Sequence, residues 1–359
     1  MRNAIIRVWN GEAKYLRWLL YAPLFLLSKV YGFCLHVRTK LYEKGRLTVE
    51  GVSVPVISVG NITLGGTGKT PVVEKLSAML VEAGFHPAIA TRGYKRKRQG
   101  TFMVDPKTDR AEDVGDEALM IARKSGVPVL VGSNRAEAIA MGMEAVPIDV
   151  VILDDGFQLK NIEKDLEILV LNGNDGKGGD GLFPLGPFRE SLERIKDADI
   201  ILVNKGDLDE AMESVTEGMS RYRIRYKPAY LYNMKAHGMV HYRFLEGKRV
   251  AAFSGLGDNR SFFNLLRELG ARVVRETSYP DHHGYSEKEL KRITSYGAVD
   301  LIVTTEKDAV KMAAMDVPDN LFYLAVTIEI EKGQELFDAI QNKLKREIWQ
   351  RESLYSIRH

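Results

Sequence analysis

The chain has 359 residues, 45% hydrophobic and 28% charged, which is typical of globular proteins and long enough for two domains. Its single cysteine, Cys34, excludes intramolecular disulfides and thiolate-cluster metal sites. The formal net charge of +3 is unevenly distributed: residues 1–46 carry nine Lys/Arg and two Glu, or +7, so the rest of the chain sums to −4. A basic N-terminal segment favours an anionic partner surface.

The first predicted element is an amphipathic helix in this basic segment. Eleven uncharged residues, Trp18 to Ser28, lie between Arg17 and Lys29, whereas a membrane-spanning helix needs about 20 apolar residues. A helical wheel puts Leu16, Leu19, Leu20, Leu24, Leu27, Val30 and Tyr31 on one face and Lys14, Arg17, Ser28 and Lys29 on the other. This pattern predicts a helix that lies in the membrane interface. A helix packed on the domain core is the alternative.

Between residues 54 and 207, apolar runs typical of buried strands alternate with helical patterns. Strands are predicted at 54–60, 86–91, 127–132, 148–155, 165–172 and 198–204, and helices at 71–83, 116–125 and 134–145. Continuous apolar strands between helices indicate an α/β fold with a mostly parallel sheet and helices on both faces.

The pattern changes after residue 221. Two polar–apolar alternating runs, 223–237 and 239–249, predict a two-stranded ribbon, followed by a smaller α/β lobe and a C-terminal helix from about 333 to 351. The predicted division is 1–46 as the interfacial helical segment, 47–225 as the large α/β domain, 226–247 as the ribbon linker, and 248–359 as the smaller lobe.

The segment TLGGTGKT, residues 63–70, is a candidate phosphate-binding loop because a predicted strand precedes it and a helix follows it. The strict pattern begins with glycine, and Thr63 stands in that position. Glycines let the backbone N–H groups point at phosphate oxygens, Lys69 would contact the β- and γ-phosphates, and the Thr70 hydroxyl would bind Mg²⁺. The predicted nucleotide-binding residues of the loop are Thr63, Leu64, Gly65, Gly66, Thr67, Gly68, Lys69 and Thr70.

A second polar pair supports this prediction. Asp154 and Asp155 follow an apolar strand, where a Mg²⁺ carboxylate belongs; a turn or helix cap is the alternative. Together the two motifs indicate binding of a nucleoside triphosphate with Mg²⁺, but they do not distinguish kinases from ATPases or switches.

Candidates for proton transfer lie elsewhere. Asp116 and Glu117 begin a predicted helix, where Asp116 alone is read as a cap, and YPDHHGYSE contains Asp281, His282 and His283. One histidine could orient a carboxylate base. The basic loop 92–98 and Arg189 could bind phosphates, although a solvated loop explains residues 95–98 equally well.

Seven motifs in order and spacing resemble those of the tetraacyldisaccharide 4'-kinases of lipid A biosynthesis: SVGNITLGGTGKTP, TRGY, VGDEA, DDGFQ, LFPLGPFRE, DHH and TTEKDAVK. The resemblance implies a P-loop kinase that transfers the γ-phosphate of ATP, with Mg²⁺, to the 4'-hydroxyl of a tetraacylated disaccharide 1-phosphate, giving lipid IVA. It also implies a peripheral protein on the cytoplasmic face of the bacterial inner membrane. We expect a membrane-embedded lipid partner, no nucleic acid, and a monomer.

The resemblance assigns roles by motif. Asp116 looks like the carboxylate that takes the sugar proton, with His282 as its partner and Lys69 on the phosphates. The metal side is predicted to comprise Thr70, Asp154, Asp155 and Glu117, the triphosphate contacts Arg135 and Arg189, and the acceptor contacts Arg92 and Tyr94. The family typically lacks the first glycine, which accounts for Thr63. Whether Asp281 and His283 are site or scaffold stays open.

Two other classes are compatible with a phosphate loop. A nucleotide switch or metal-insertion GTPase would use Asn204-Lys205-Gly206-Asp207, which matches the Asn-Lys-x-Asp that reads guanine. A membrane-bound partitioning ATPase would carry a lysine where Leu64 stands. Strong preference for GTP without lipid phosphorylation would favour the switch.

Overall fold

The computed structural model describes residues 14–64, 67–173, 181–294 and 299–357; within these ranges it leaves out the side chains of 14–19, 294, 350 and 352–357. Two compact units are present. The first comprises the chain up to Ala90, Asn134–Arg225 and the chain from Glu329, and the second comprises Thr91–Ser133 and Tyr226–Ile328. The predicted domain boundaries divide the chain in sequence order instead, and they stay a prediction.

The elements follow the predicted alternation. The strands are β1 (Val56–Gly60), β2 (Pro87–Thr91), β3 (Phe102–Met103), β4 (Val129–Val131), β5 (Val150–Asp154), β6 (Leu166–Asn172), β7 (Ile200–Asn204), β8 (Ser220–Asn233), β9 (Gly238–Val240), β10 (Arg249–Ser254), β11 (Arg272–Ser278), β12 (Leu301–Thr305) and β13 (Leu321–Ile330). The helices are α1 (Lys14–Glu43), α2 (Lys69–Glu82), α3 (Ala111–Val114), α4 (Asp116–Ser125), α5 (Arg135–Ala145), α6 (Glu210–Val215), α7 (Asn259–Glu268), α8 (Glu287–Thr294), α9 (Glu306–Ala309) and α10 (Gly333–Ile357).

The first unit is built on parallel strands in the order β7–β6–β1–β5–β2, and the first residues of β8 pair with β7. Strands β1, β2, β5 and β7 are buried along their whole length and β6 at all but its last residue, as the continuous apolar runs predict for a sheet covered on both faces. The predicted fold class is confirmed. Strand β1 lies between β5 and β6, so the loop after β1 and the acids at the end of β5 are at the same sheet edge.

In the second unit, parallel strands follow the order β11–β10–β12–β13. Helix α7 buries Phe262, Phe263 and Leu266 against Val250 of β10 and Val303 of β12. The end of β8 pairs with β9 in antiparallel register, as predicted for the ribbon, and β3 pairs with β4 in the same sense. This packing places the loops after β10 and β12 next to each other.

Helix α1 continues through Pro23. Leu24 and Ser28 are buried, and the Tyr31 hydroxyl and the Ser28 hydroxyl both donate hydrogen bonds to the segment 181–190, which we name the strap. The predicted division of faces is therefore wrong at these three positions: Leu24 and Tyr31 leave the lipid-facing side, and Ser28 is not solvated. Hydrophobic periodicity did not reveal that polar contacts would define the packed side.

The outward side of α1 is apolar. Its exposed large side chains are Tyr21, Phe25, Leu26, Leu27, Val30, Phe33 and Val37, and Cys34 is also exposed. By length and composition alone, Leu20–Glu43 is apolar enough to cross a membrane, with a mean hydropathy of 1.4 in its most apolar 18-residue window. Only 11% of that window is buried.

Candidate active site

The phosphate loop connects β1 to α2 in the first unit. Gly68 adopts φ 92°, a left-handed conformation that favours glycine, and directly precedes Lys69, the first residue of α2. The free N–H groups at this helix start give the loop a positive end suited to phosphate. Gly65 and Gly66, also predicted to bind nucleotide, lie outside the described residues.

The strap pairs with the first half of this loop. The Leu64 N–H donates to the Pro187 carbonyl at 2.8 Å, and the Arg189 N–H donates to the Ile62 carbonyl at 2.7 Å. Between them, Thr63 forms an antiparallel bridge with Phe188. The backbone of the loop is thus held by a segment more than 100 residues away in sequence.

Two buried asparagines hold the rest of the loop. The Asn61 side chain donates to the Thr63 carbonyl at 2.8 Å and accepts from Lys69 Nζ at 3.0 Å. The Asn204 side chain, fully buried, donates to the Thr67 carbonyl at 3.0 Å. Asn204, raised above as a candidate guanine reader, thus supports the loop, and Asp207 forms an ion pair with Arg223.

The phosphate loop together with Asp154, Asp155 and Arg189 is named the first site, and Asp155 is its charged centre. Arg189 Nη1 donates to both of its carboxylate oxygens at 3.1 Å, and Lys69 Nζ lies 3.4 Å from Oδ1. Burial raises the pKa of Asp155, but the charges of Lys69 and Arg189 outweigh it and hold the pKa at about 2. The structure therefore brings two predicted residues, Lys69 and Arg189, to the ionised Asp155 at the loop.

Thr70, Asp154 and Asp155 were predicted on the metal side. Asp154 ends β5 and is buried, and Thr70 is the second residue of α2. Across the described ranges, no cluster of three or more His, Cys, Asp or Glu could hold a metal by itself. This donor set fits Mg²⁺, which is usually bound by one or two carboxylates together with substrate phosphates. Arg135 is buried at the start of α5, held there by the Asn134 cap.

Asp116 and His282 meet in the second unit. Asp116 begins α4 and is 7% exposed. His282 Nδ1 lies 2.9 and 3.2 Å from the two oxygens of the Asp116 carboxylate, although 166 residues separate them. The His282 backbone has φ 61°, a conformation uncommon for non-glycine residues. The structure brings together the predicted acid–histidine pair.

Two lysines surround this pair. Lys311 Nζ lies 3.7 Å from Asp116 Oδ2 and 2.9 Å from the fully buried Asp308. Lys307 Nζ lies 3.4 Å from His282 Nε2. Burial raises the pKa of Asp116, but the hydrogen bond from His282 and the charges of Lys307, His282 and Lys311 hold it at about 2. Asp116 is therefore a carboxylate at any physiological pH.

The remaining predicted residues of this unit lie near the pair. The Tyr94 ring is 4.9 Å from the His282 ring and half exposed, and Arg92 is exposed nearby in sequence. Glu117, predicted to bind metal, accepts a hydrogen bond from Lys307 at 2.8 Å, and Asp281 accepts from the same lysine at 3.1 Å.

Lys307, Lys311 and Asp308 were not predicted as site residues. Their motif, TTEKDAVK, was recognised only as part of the family pattern, and a strand end followed by mixed charges gave no further signal. His283 Nε2 lies within hydrogen-bonding distance of Glu289 Oε1, at 3.1 Å, and its ring stacks on Tyr279, so its contacts are those of a scaffold residue.

Known proteins are similar to this chain over nearly its whole length. Residues 20–345 match the family model described as tetraacyldisaccharide-1-P 4'-kinase. The chain belongs to this family. The tetraacyldisaccharide 4'-kinase of Vibrio campbellii is 35% identical over 94% of this chain and 96% of the relative, and that of Halorhodospira halophila is 38% identical over 89% and 92%. A solved structure of LpxK from Aquifex aeolicus in complex with ATP is similar, with a TM-score of 0.75, 32% identity, and coverage of 90% of this chain and 99% of that one.

Proposed function

We propose that this tetraacyldisaccharide 4'-kinase family member transfers the γ-phosphate of ATP to the 4'-hydroxyl of tetraacyldisaccharide 1-phosphate, forming lipid IVA in lipid A biosynthesis. The family match over nearly the whole chain supports the reaction and substrate class. The observation that carries the proposal is the pairing of Asp116 with His282, because a nucleotide switch has no use for such a pair.

The first site would hold the nucleotide. Backbone N–H groups of the loop and the start of α2 would bind the phosphates, and Lys69 would turn from Asn61 and Asp155 to the β- and γ-phosphates. Thr70 and Asp154 would hold Mg²⁺, which supplies positive charge to the transferring phosphoryl group. Arg189 already pairs with Asp155, so this acid stays ionised when Lys69 moves.

The second site, which consists of Asp116, His282, Lys307 and Lys311 in the second unit, would position the acceptor. With a pKa of about 2, Asp116 is a weak base, but it is ionised at physiological pH and would accept a hydrogen bond from the sugar hydroxyl. Phosphoryl transfer passes through a loose transition state in which orienting the nucleophile matters more than early proton removal. His282 would hold the carboxylate in place through Nδ1, and Arg92 and Tyr94 would contact the acceptor.

Helix α1 would attach the enzyme to the cytoplasmic face of the inner membrane. Its exposed apolar side chains and the net positive charge of residues 1–46 suit an anionic lipid surface. Ser28, Tyr31 and Arg38 make polar contacts with the strap along about three turns of the helix, which favours a helix lying on the membrane over one crossing it. The monomeric state stays a prediction.

The test is to incubate the purified full chain with labelled ATP, Mg²⁺ and tetraacyldisaccharide 1-phosphate in detergent micelles. We expect a labelled bisphosphorylated lipid. Nucleotide hydrolysis without any labelled lipid, or with GTP strongly preferred, would contradict the proposal.

A further inference from the structure

Helix α1 contacts the strap through Ser28, Tyr31, Gly32 and Arg38, all in the first unit. The Ser28 hydroxyl donates to the Leu182 carbonyl at 2.8 Å, and the Tyr31 hydroxyl donates to the Arg189 carbonyl at 2.9 Å. One turn after Ser28, Gly32 leaves room for Leu182: a Cβ added at Gly32 would lie 3.0 Å from Leu182 Cδ1. These contacts lie on one side of the helix, opposite the exposed apolar residues Leu26, Val30, Phe33 and Val37.

The fourth contact involves a buried charge. Glu190 is 2% exposed, and Arg38 Nη2 lies 2.8 Å from its Oε1. Arg194 Nη1 lies 3.5 Å from the other oxygen. A carboxylate this deeply buried requires a cation beside it, so α1 supplies part of what keeps this end of the strap folded.

The same strap residues hold the nucleotide site. Arg189, whose carbonyl accepts from Tyr31, donates its own N–H to Ile62 and its guanidinium to Asp155. Pro187 accepts from the loop residue Leu64. A single residue, Arg189, thus contacts the membrane-docking helix, the phosphate loop and the acid beside Lys69.

We propose that Tyr31 and Arg38 are positioning residues for nucleotide binding, and that docking of α1 on an anionic lipid surface tightens the binding of MgATP. This rests on the proposed function for its nucleotide and lipid surface. A lipid surface that orders α1 orders the strap, and the strap fixes Arg189 and the loop. Because binding free energies are linked, MgATP must tighten membrane attachment by the same factor.

The experiment measures the Kd of MgATP for the full chain by calorimetry, with and without vesicles of phosphatidylethanolamine and phosphatidylglycerol. Tyr31→Phe removes only the hydroxyl, and Arg38→Gln removes the charge together with the guanidinium that reaches Glu190. Each variant has a matched control on the same helix: Tyr21→Phe, where the ring is half exposed and stacks on Phe25, and Lys40→Gln, which loses a surface pair with Glu43.

We expect vesicles to tighten MgATP binding by wild type several-fold. We expect Tyr31→Phe and Arg38→Gln to bind MgATP about three- to tenfold more weakly and to lose the vesicle effect, with Arg38→Lys restoring part of it. KM for ATP should rise while kcat changes little; the thermal midpoint should stay close to wild type in Tyr31→Phe and fall in Arg38→Gln, which takes a cation from buried Glu190. Both controls should have wild-type KM and kcat.

The outcomes separate the two proposals. Wild type that fails to bind MgATP at all would overturn the proposed function. Wild type that binds MgATP with the same Kd on vesicles, or strap-facing variants with wild-type Kd values, would overturn the coupling while leaving the kinase intact.

Discussion

Asp155 in the first unit and Asp116 in the second are both acids held ionised by neighbouring cations, but their surroundings differ. The side chain of Asp155 is 38% exposed and that of Asp116 is 9% exposed. Lys69, which faces Asp155, is proposed to move to the phosphates, whereas Lys311 beside Asp116 also contacts the buried Asp308, and Lys307 contacts Glu117 and Asp281. We therefore expect Asp155 to lose a cation when the nucleotide binds, and Asp116 to keep its neighbouring cations.

The largest expected effect is at the second site. Asp116→Asn keeps the size of the side chain but removes the charge that orients the acceptor hydroxyl, so we expect kcat to fall about 100- to 10,000-fold. The KM for ATP should stay close to wild type because Asp116 does not hold the nucleotide. A wild-type kcat in this variant would show that Asp116 takes no part in the reaction.

The next effect tests partner exchange at the first site. Lys69→Met removes the cation that is expected to move from Asp155 to the phosphates, and kcat/KM for ATP should fall about 100- to 1,000-fold. Lipid phosphorylation at rising ATP concentration measures it. A variant with a normal kcat/KM would mean that Lys69 serves only to neutralise Asp155.

Lys307→Met tests whether the second site depends on fixed neighbours. Removing this lysine takes a cation from Glu117 and Asp281 and one contact from the His282 ring, so we expect kcat to fall about tenfold and the free energy of unfolding to decrease. Lys307→Arg should recover part of kcat.

Lys124→Met is the matched control for Lys307. Lys124 also joins α4 to later elements of the same unit, through Glu306 at 2.9 Å and the Val326 carbonyl at 2.8 Å. It should lower stability without changing kcat. Equal loss of kcat in both variants would make the role of Lys307 purely structural.

The acid dependence of stability separates the two carboxylates. The pKa of folded Asp116, about 2, lies below its ordinary value of 3.8, so the ionised group adds stability above about pH 4 that is lost as the pH falls toward 2. The free energy of unfolding of wild type should exceed that of Asp116→Asn by about 2 kcal/mol above pH 4, and the gap should close near pH 2.

The same comparison with Asp155→Asn should give a smaller gap, because solvent screens a more exposed carboxylate. Chemical denaturation at a series of pH values in metal-free buffer measures both. A larger gap for Asp155 would reverse the contrast between the two sites.

The smallest effect is expected at Asp207. This residue forms an exposed ion pair with Arg223, so Asp207→Asn should change the ratio of ATP to GTP use by less than about twofold. A large shift toward ATP would mean that wild type reads guanine through Asp207.

The first site was predictable because its parts are adjacent in sequence or follow from sheet geometry. The loop is eight consecutive residues between a strand and a helix, and parallel strands β1 and β5 necessarily bring Asp154 to the same edge. Arg189 could be named only as a candidate phosphate ligand, because nothing local indicates that residues 187–189 pair with the loop.

The second site was harder to predict from the sequence. The residues themselves suggested a histidine that orients a carboxylate, but the family resemblance was needed to pair Asp116 with His282 across 166 residues. Lys307 and Lys311 lie in a short helix and turn, where lysines usually face solvent, so only the fold reveals that they surround an acid. The packed side of α1 was missed for a similar reason, since its contacts are polar and periodicity records apolar ones.

The exposed Cys34 on α1 has a practical consequence. Because the chain contains no other thiol, a maleimide fluorophore would attach to the wild-type protein at one defined place, beside Phe33 and on the helix that is proposed to meet the bilayer. Its emission spectrum would report the polarity around that helix during turnover, without engineering a labelling position.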